Sequence, residues 1–337
     1  MKRLVSALLV TVLGVSLVGC GGSSGDSAGV KEITIAHGAS ESYHMHKALL
    51  EFEKELEETG KFDVTIYPSS QFGNDTEMIE SVKTGDITIA VPPSSFLTDE
   101  APGMALIELP YVFPSKDVAI KTLDSEWGQK QLDALKESGL HGLGYLENGM
   151  RQLTNSKHAV TSPEDLKGLK LRTMQVPAHV MYWNSLDCSA EGGPFAELYT
   201  NLSTKVFDGQ ENPIAHIYAQ KFYEVQNYLT LTDHVYTTYV PVMQEEFWQT
   251  LSEEEQNIIQ TAMDNAYAYQ LDLSEKEEAS QLKEIAENET YKCEVIELTD
   301  EQKQAFIESA QPTLEHYRNE LGAEIYDEFI NTIKSFE

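Results

Sequence analysis

Two arginines, Arg151 and Arg172, stand near each other in a chain that otherwise hardly uses this residue. Against 55 acidic residues there are four arginines in all: Arg3, Arg151, Arg172 and Arg318. A guanidinium donates two parallel hydrogen bonds from a planar fork, which fits a carboxylate better than the point charge of a lysine does. Position alone leaves two readings open, an anion site or a pair of structural salt bridges. A third polar group lies downstream. The run VFDGQENP at 206–213 leads an apolar strand into a turn, where Asn212 can both donate and accept and Pro213 fixes the backbone.

The elements that must position these residues alternate in type. Strands are expected at 32–36, 62–67 and 86–91, with helices at 43–58 and 74–83 between them, which is the rhythm of an α/β sheet covered by helices. Ser162, Pro163, Glu164 and Asp165 form a helix start, Gly168 ends that helix, and 169–173 is a strand. Arg172 therefore falls near a strand's C-terminal end, where open α/β sheets bind ligands. A strand at 228–240 is expected to cross between domains and carries Tyr236 and Tyr239. Neither Gly nor Pro interrupts 252–288, and Ser252 with Glu255 makes a capping box at its start. As one helix this stretch spans roughly 55 Å and braces two domains; a break near Leu273 and Ser274 is the alternative.

The chain has 337 residues, 41% of them hydrophobic, enough for two domains with buried cores. Its formal net charge of −31 repels nucleic acid and anionic lipid surfaces and makes both poor candidates as partners. It does not exclude a small anion, because screening limits each surface charge to about 8 Å at physiological salt. Lys2 and Arg3 precede an apolar stretch at 4–18 that is short for a membrane span, and Leu17-Val18-Gly19-Cys20 follows the pattern of a bacterial lipobox. Residues 1–19 are read as a lipoprotein signal peptide, Cys20 as the lipidation site, and 20–29 as a flexible tether. Beyond Cys20 only Cys188 and Cys293 occur; they establish no disulfide, and no CxxC pattern argues for zinc. His44 and His46 lie two apart at a helix start, where their side chains diverge, so no metal site is assigned. No GxSxG, Walker, HExxH or GxGxxG motif is found in the mature chain.

Several stretches together resemble the extracytoplasmic solute receptors of tripartite ATP-independent periplasmic (TRAP) transporters, of the dicarboxylate-receptor type. They are YPSSQFGND at 67–75, LPYVF at 109–113, GMRQLTN at 149–155, SPEDLKGLKLR at 162–172, DGQENP at 208–213 and FYEVQ at 222–226. Each is weak alone; their order and spacing over about 31–310 are specific. The resemblance implies an α/β fold, a two-domain periplasmic-binding-protein clamshell, with the long helix bracing both domains. Domain I is placed at 30–148 plus 238–276 and domain II at 149–237 plus 277–337. The implied function is that of a non-catalytic receptor, without a cofactor. It closes on an organic acid and delivers it to a permease with a small and a large membrane subunit. The receptor is expected to be an exported monomer that touches the membrane through its lipid anchor only. A lipoprotein that senses a ligand for a signalling receptor is the alternative, and a secreted hydrolase the remote one.

By the resemblance, Arg172 matches the arginine that grips the ligand carboxylate, Asn212 the asparagine on the same carboxylate, Arg151 a second pocket arginine and Phe195 an aromatic of the cleft wall. Tyr43, His44, Glu41, Gln71, Tyr236 and Tyr239 are further candidates for the cleft. The sequence departs from the family pattern at Ala190-Glu191-Gly192-Gly193-Pro194, at Lys205 and in the polar run Ser40-Glu41-Ser42-Tyr43-His44, all near the cleft wall. Those departures leave the acid open. Arg151 fits a dicarboxylate, while the polar segment at 37–44 favours a hydroxylated acid such as a sugar acid.

Overall fold

The structure, a computed structural model, describes residues 29–337. The expected signal peptide, Cys20 and all but the last residue of the expected tether lie outside them. The strands in chain order are β1 Lys31–Ala36, β2 Phe62–Tyr67, β3 Ile89–Ala90, β4 Leu140–Gly142, β5 Leu146–Asn155 and β6 Lys170–Thr173. They continue with β7 Ser189–Gly192, β8 Gly209–Pro213, β9 Tyr228–Leu231, β10 Tyr236–Tyr239, β11 Val242–Gln244 and β12 Glu294–Glu297. They form two sheets. The first has the order β2-β1-β3-β11-β4, parallel at β1, β2 and β3 and antiparallel around β11. The second has the order β12-β9-β5-β8-β6-β7, with β10 paired to β5. This is a two-domain α/β clamshell.

Two strands connect the halves. β5 gives its first residues to β10 and its last to β8 and β9. The β5–β10 register shifts between Thr237 and Thr238, opposite Gly149, whose φ of 115° suits glycine. The expected single strand at 228–240 is instead β9 and β10. Between them Asp233 takes a φ of 45°, and its N–H is bonded to Gln152 Oε1 rather than to a strand.

The long helix is unbroken from Glu253 to Ala286, 34 residues or about 51 Å. Ser252 and Glu255 close its capping box. Ile259, Ala262, Met263 and Ala266 pack in the core of the first sheet, while Ile285 packs in the second. Midway, the Gln270 amide is bonded to both the N–H and the carbonyl of Glu147 at the head of β5. The brace is thus pinned where the strands cross.

The C-terminal elements divide between two cores. β12 pairs with β9, and the helix Asp300–Ser309 packs on the second sheet through Phe306. The helix Ala323–Lys334 packs elsewhere. Its Phe329 meets Phe113 and Trp127 edge-on or tilted, with ring centroids 5.5 and 4.5 Å away, in the core beside the first sheet. Its apolar face, with Phe329 and Ile333 buried, is what carries the end of the chain back across.

Candidate functional site

A cavity of about 330 Å³ lies between the two sheets. Its second-domain wall begins at the end of β6. Arg172 is buried there between Glu191 of β7 and Gln210 of β8. Its Nε donates to the Gly193 carbonyl at 2.8 Å, and Nη2 donates to the same oxygen. Its Nη1 has no hydrogen-bond partner among the described residues. Burial pushes its pKa down to about 10, with Glu211 and Asp75 opposing and Arg151 adding to the fall. The group stays charged at neutral pH, but nothing close neutralises it fully.

Arg151 lies on β5, at the crossing. Its Nε donates to Glu211 Oε2, and its Nη2 donates to Glu211 Oε1 at 3.0 Å and to the Glu211 carbonyl at 2.6 Å. Both side chains are fully buried. Burial would raise the Glu211 carboxyl, but Arg151, His234 and His179 outweigh it and hold it well below the ordinary range. This guanidinium is already matched by a carboxylate of its own chain.

Asn212, on β8, has its amide tied to Gln210 Oε1 at 2.5 Å; Gln210 is in turn tied to Thr154 at 2.8 Å. That relay orients Asn212 at the cavity edge beside Arg172. Phe195 follows Gly193 and Pro194 and sets its ring against His216, centroids 4.9 Å apart. Tyr239, on β10, places its hydroxyl 2.8 Å from His216 Nε2. Arg172, Asn212, Arg151, Phe195 and Tyr239 all line the cavity.

The remaining expected residues do not line it. Tyr43 lies one layer behind. Its ring stacks on His216 at 4.0 Å, and its hydroxyl is 2.9 Å from both the carbonyl and Oδ1 of Asn148. His44 turns to the brace, with Nδ1 3.0 Å from Gln270 Nε2. Tyr236 packs against Phe113 in the core. Glu41 and Gln71 are exposed. Helical periodicity explains His44, whose face of the helix His44–Glu58 is buried against the brace, while Tyr43 is the extended residue before that helix.

Among the lining residues that sequence reasoning passed over are Asn148, His216 and Asp75. Asn148 sits one step before Gly149. His216 is four residues after Asn212, on the first turn beyond Pro213. Burial, then the charges of Arg151, His44 and Arg172, hold its ring neutral, far below the usual histidine range. Asp75 was read only as part of a helix start. The one usable signal was for His216, since a helix that begins at Pro213 returns its fourth residue to the face of its first turn.

Residues 35–320 match the family model described as bacterial extracellular solute-binding protein, family 7. The C4-dicarboxylate-binding protein of Bacillus subtilis is 32% identical over 82% of this chain and 78% of its own. Among solved structures, the sugar acid binding protein of Advenella mimigardefordensis in complex with galactonate is 31% identical. It covers 92% of this chain and all of its own, with a TM-score of 0.87. A TRAP periplasmic solute binding protein of Sulfurospirillum deleyianum with bound succinate is 29% identical, again over 92% of this chain and all of its own, with a TM-score of 0.85. No helix of the described residues is long and apolar enough to cross a membrane.

Proposed function

Because the chain belongs to family 7 of the bacterial extracellular solute-binding proteins, as a TRAP-type receptor and not an enzyme, we propose that it captures an organic acid through Arg172. One observation carries this reading. Arg172 is a buried, charged, cavity-lining guanidinium that, among the described residues, forms no salt bridge and leaves Nη1 without a partner; Arg151 also leaves Nη1 unpartnered but has its charge matched by Glu211. A buried unpaired donor costs free energy, which a ligand carboxylate entering the cavity recovers. Asn212, held by Gln210, supplies a second contact to the same carboxylate, and Phe195 covers the apolar side of the ligand. Each charge-assisted bond contributes roughly 1.5–3 kcal/mol. The strand crossing at Gly149 and the brace pinned through Gln270 support closure of the two domains about β5 and β10.

The loaded receptor then hands the acid to a TRAP permease of one small and one large membrane subunit. It works as a monomer outside the cell, tethered by a lipid on Cys20. Relatives with both C4-dicarboxylates and sugar acids fit the same clamp, since either class offers one carboxylate to Arg172. Titration calorimetry with a panel of organic acids tests the clamp. Arg172→Lys keeps the charge and loses the fork, so affinity for the best acid should drop at least tenfold. Unchanged affinity, or binding of neutral sugars alone, would remove Arg172 from the role.

A further inference from the structure

Three stretches of the sequence meet in one line of hydrogen bonds that ends at the cavity. Gln226 comes from FYEVQ, Thr154 from GMRQLTN, and Gln210 with Asn212 from DGQENP. Register brings the strand residues together. Thr154 of β5 stands opposite Gln210 of β8, and Gln210 and Asn212, two apart on β8, share a face. On its other side Gln210 is paired with Arg172 of β6. The Thr154 hydroxyl is 3.2 Å from Gln226 Oε1, Gln210 Nε2 is 2.8 Å from that hydroxyl, and Asn212 Nδ2 is 2.5 Å from Gln210 Oε1. All four side chains are buried, and of the four only Asn212 lines the cavity.

The direction of this line is fixed at the end remote from the cavity. Gln226 Nε2 donates to the Val225 carbonyl at 3.0 Å, and a carbonyl can only accept. Gln226 Oε1 is therefore left facing Thr154, whose hydroxyl must donate to it. With its proton spent, the hydroxyl can only accept from Gln210, which turns Nε2 toward Thr154 and Oε1 toward Asn212. Asn212 must then present Nδ2 to Gln210. One amide hydrogen is taken there; the second has no partner among the described residues. Reversing any one link would set two donors or two acceptors against each other.

Core packing does not ask for these side chains. Apolar residues at 154, 210 and 226 would fill the same space without desolvating two amides and a hydroxyl. What the polar line adds is orientation, since each member fixes the next. An asparagine without such a partner can turn its amide over about the terminal bond. The turned amide would set Oδ1 on the side of Gln210 and Arg172, where the ligand carboxylate arrives, and oxygen would face oxygen.

We propose that Thr154 and Gln226, which do not line the cavity, are positioning residues for acid binding. Through Gln210 they lock the Asn212 amide with its nitrogen on the Arg172 side, one hydrogen free for the carboxylate. This rests on Arg172 and Asn212 as the carboxylate clamp.

The test is a double-mutant cycle read by titration calorimetry with galactonate and with succinate. Thr154→Val keeps the shape and removes the hydroxyl, so affinity for the better-bound acid should fall on the order of tenfold. Thr154→Ser should restore it. In an Asn212→Ala background, Thr154→Val should change nothing further. A residue that only supports the sheet would lower affinity equally with and without the Asn212 side chain; that outcome, or Thr154→Val binding like the wild type, overturns the proposal. Gln226→Met breaks the line at its far end and takes the place of Thr154→Val should that variant fail to fold. The empty protein gives a reading that needs no acid. In NMR spectra the Asn212 side-chain amide pair, identified by its loss in Asn212→Ala, should shift in Gln226→Met, and a pair that stays in place overturns the relay. Failure of the clamp reads separately, as Arg172→Lys and Asn212→Ala titrations that match the wild type.

Discussion

Arg151 and Arg172 share one cavity and are both buried, yet only one of the two guanidiniums is given a counter-charge. At the strand crossing, Arg151 is gripped by both oxygens and the carbonyl of Glu211, which His234 also touches at 3.1 Å. At the end of β6, Arg172 has one carbonyl oxygen, that of Gly193, for two of its donors and no carboxylate; Nη1 lacks a partner in both arginines, so the difference between them is the counter-charge. A charge compensated inside the fold is part of the fold. A charge left under-compensated is held in readiness for something that comes and goes. The two arginines teach that burial does not mark a ligand-binding cation; missing compensation does.

The largest effect that can break this contrast comes from Glu211. Glu211→Gln leaves Arg151 buried without its counter-charge, which costs about 3–5 kcal/mol in such pairs. For a chain of this size the melting temperature should fall on the order of 10 °C, measured by differential scanning calorimetry. Replacing both partners with apolar residues, Arg151→Met with Glu211→Leu, should recover most of that loss. A Glu211→Gln protein as stable as the wild type would mean that Arg151 is no more compensated than Arg172. The next effect has the opposite sign. Arg172→Met removes a desolvated cation that has little to hold it, so the empty protein should gain about 1–2 kcal/mol while binding of organic acids is lost. Thermal unfolding without and with the acid reads both. A destabilised empty protein would place Arg172 beside Arg151 as a structural residue.

How far this contrast was legible in the sequence depends on the range of the interactions. The strand Phe62–Tyr67, the helix start at Asn74 and the capping box at Ser252 were readable, because alternation and caps are local. The clustering of Arg151, Arg172 and Asn212 followed from motif order. The role of Glu211 was not readable. Leu153 of β5 faces Glu211 of β8, so Arg151 and Glu211 are diagonal neighbours on one sheet face, a fact that exists only once the register is fixed. The strand expected at 86–91 is reduced to Ile89–Ala90, since the N–H groups of Asp86 and Ile87 turn back to the Ser81 carbonyl at the helix end. Asp75 was hidden by a plausible local role, because an acid in a first helical turn needs no further explanation. The polar run at 37–44 misled in the other direction. His37 pairs with His46 at 3.0 Å and His44 with the brace, and only Gly38 of that run reaches the cavity.

Arg318 supplies the control that separates geometry from burial. Its Nε and Nη2 donate to Asp327 Oδ1 and Oδ2 at 3.0 and 2.9 Å, a two-pronged fork of the same kind that Arg151 makes to Glu211. The side chains, however, are 45% and 51% exposed, so water has already solvated both charges and ions screen what attraction is left. If fork geometry were what stabilises the Arg151 pair, Arg318→Ala should cost comparable stability. If the uncompensated desolvation of a buried partner is the cause, Arg318→Ala leaves Asp327 in water and costs nothing. The expected result is a melting temperature indistinguishable from the wild type, at low salt and at 1 M salt alike. A clear drop at low salt that vanishes at high salt would show surface pairing to matter here, and would weaken the inference that lack of compensation, rather than the mere absence of a fork partner, singles out Arg172.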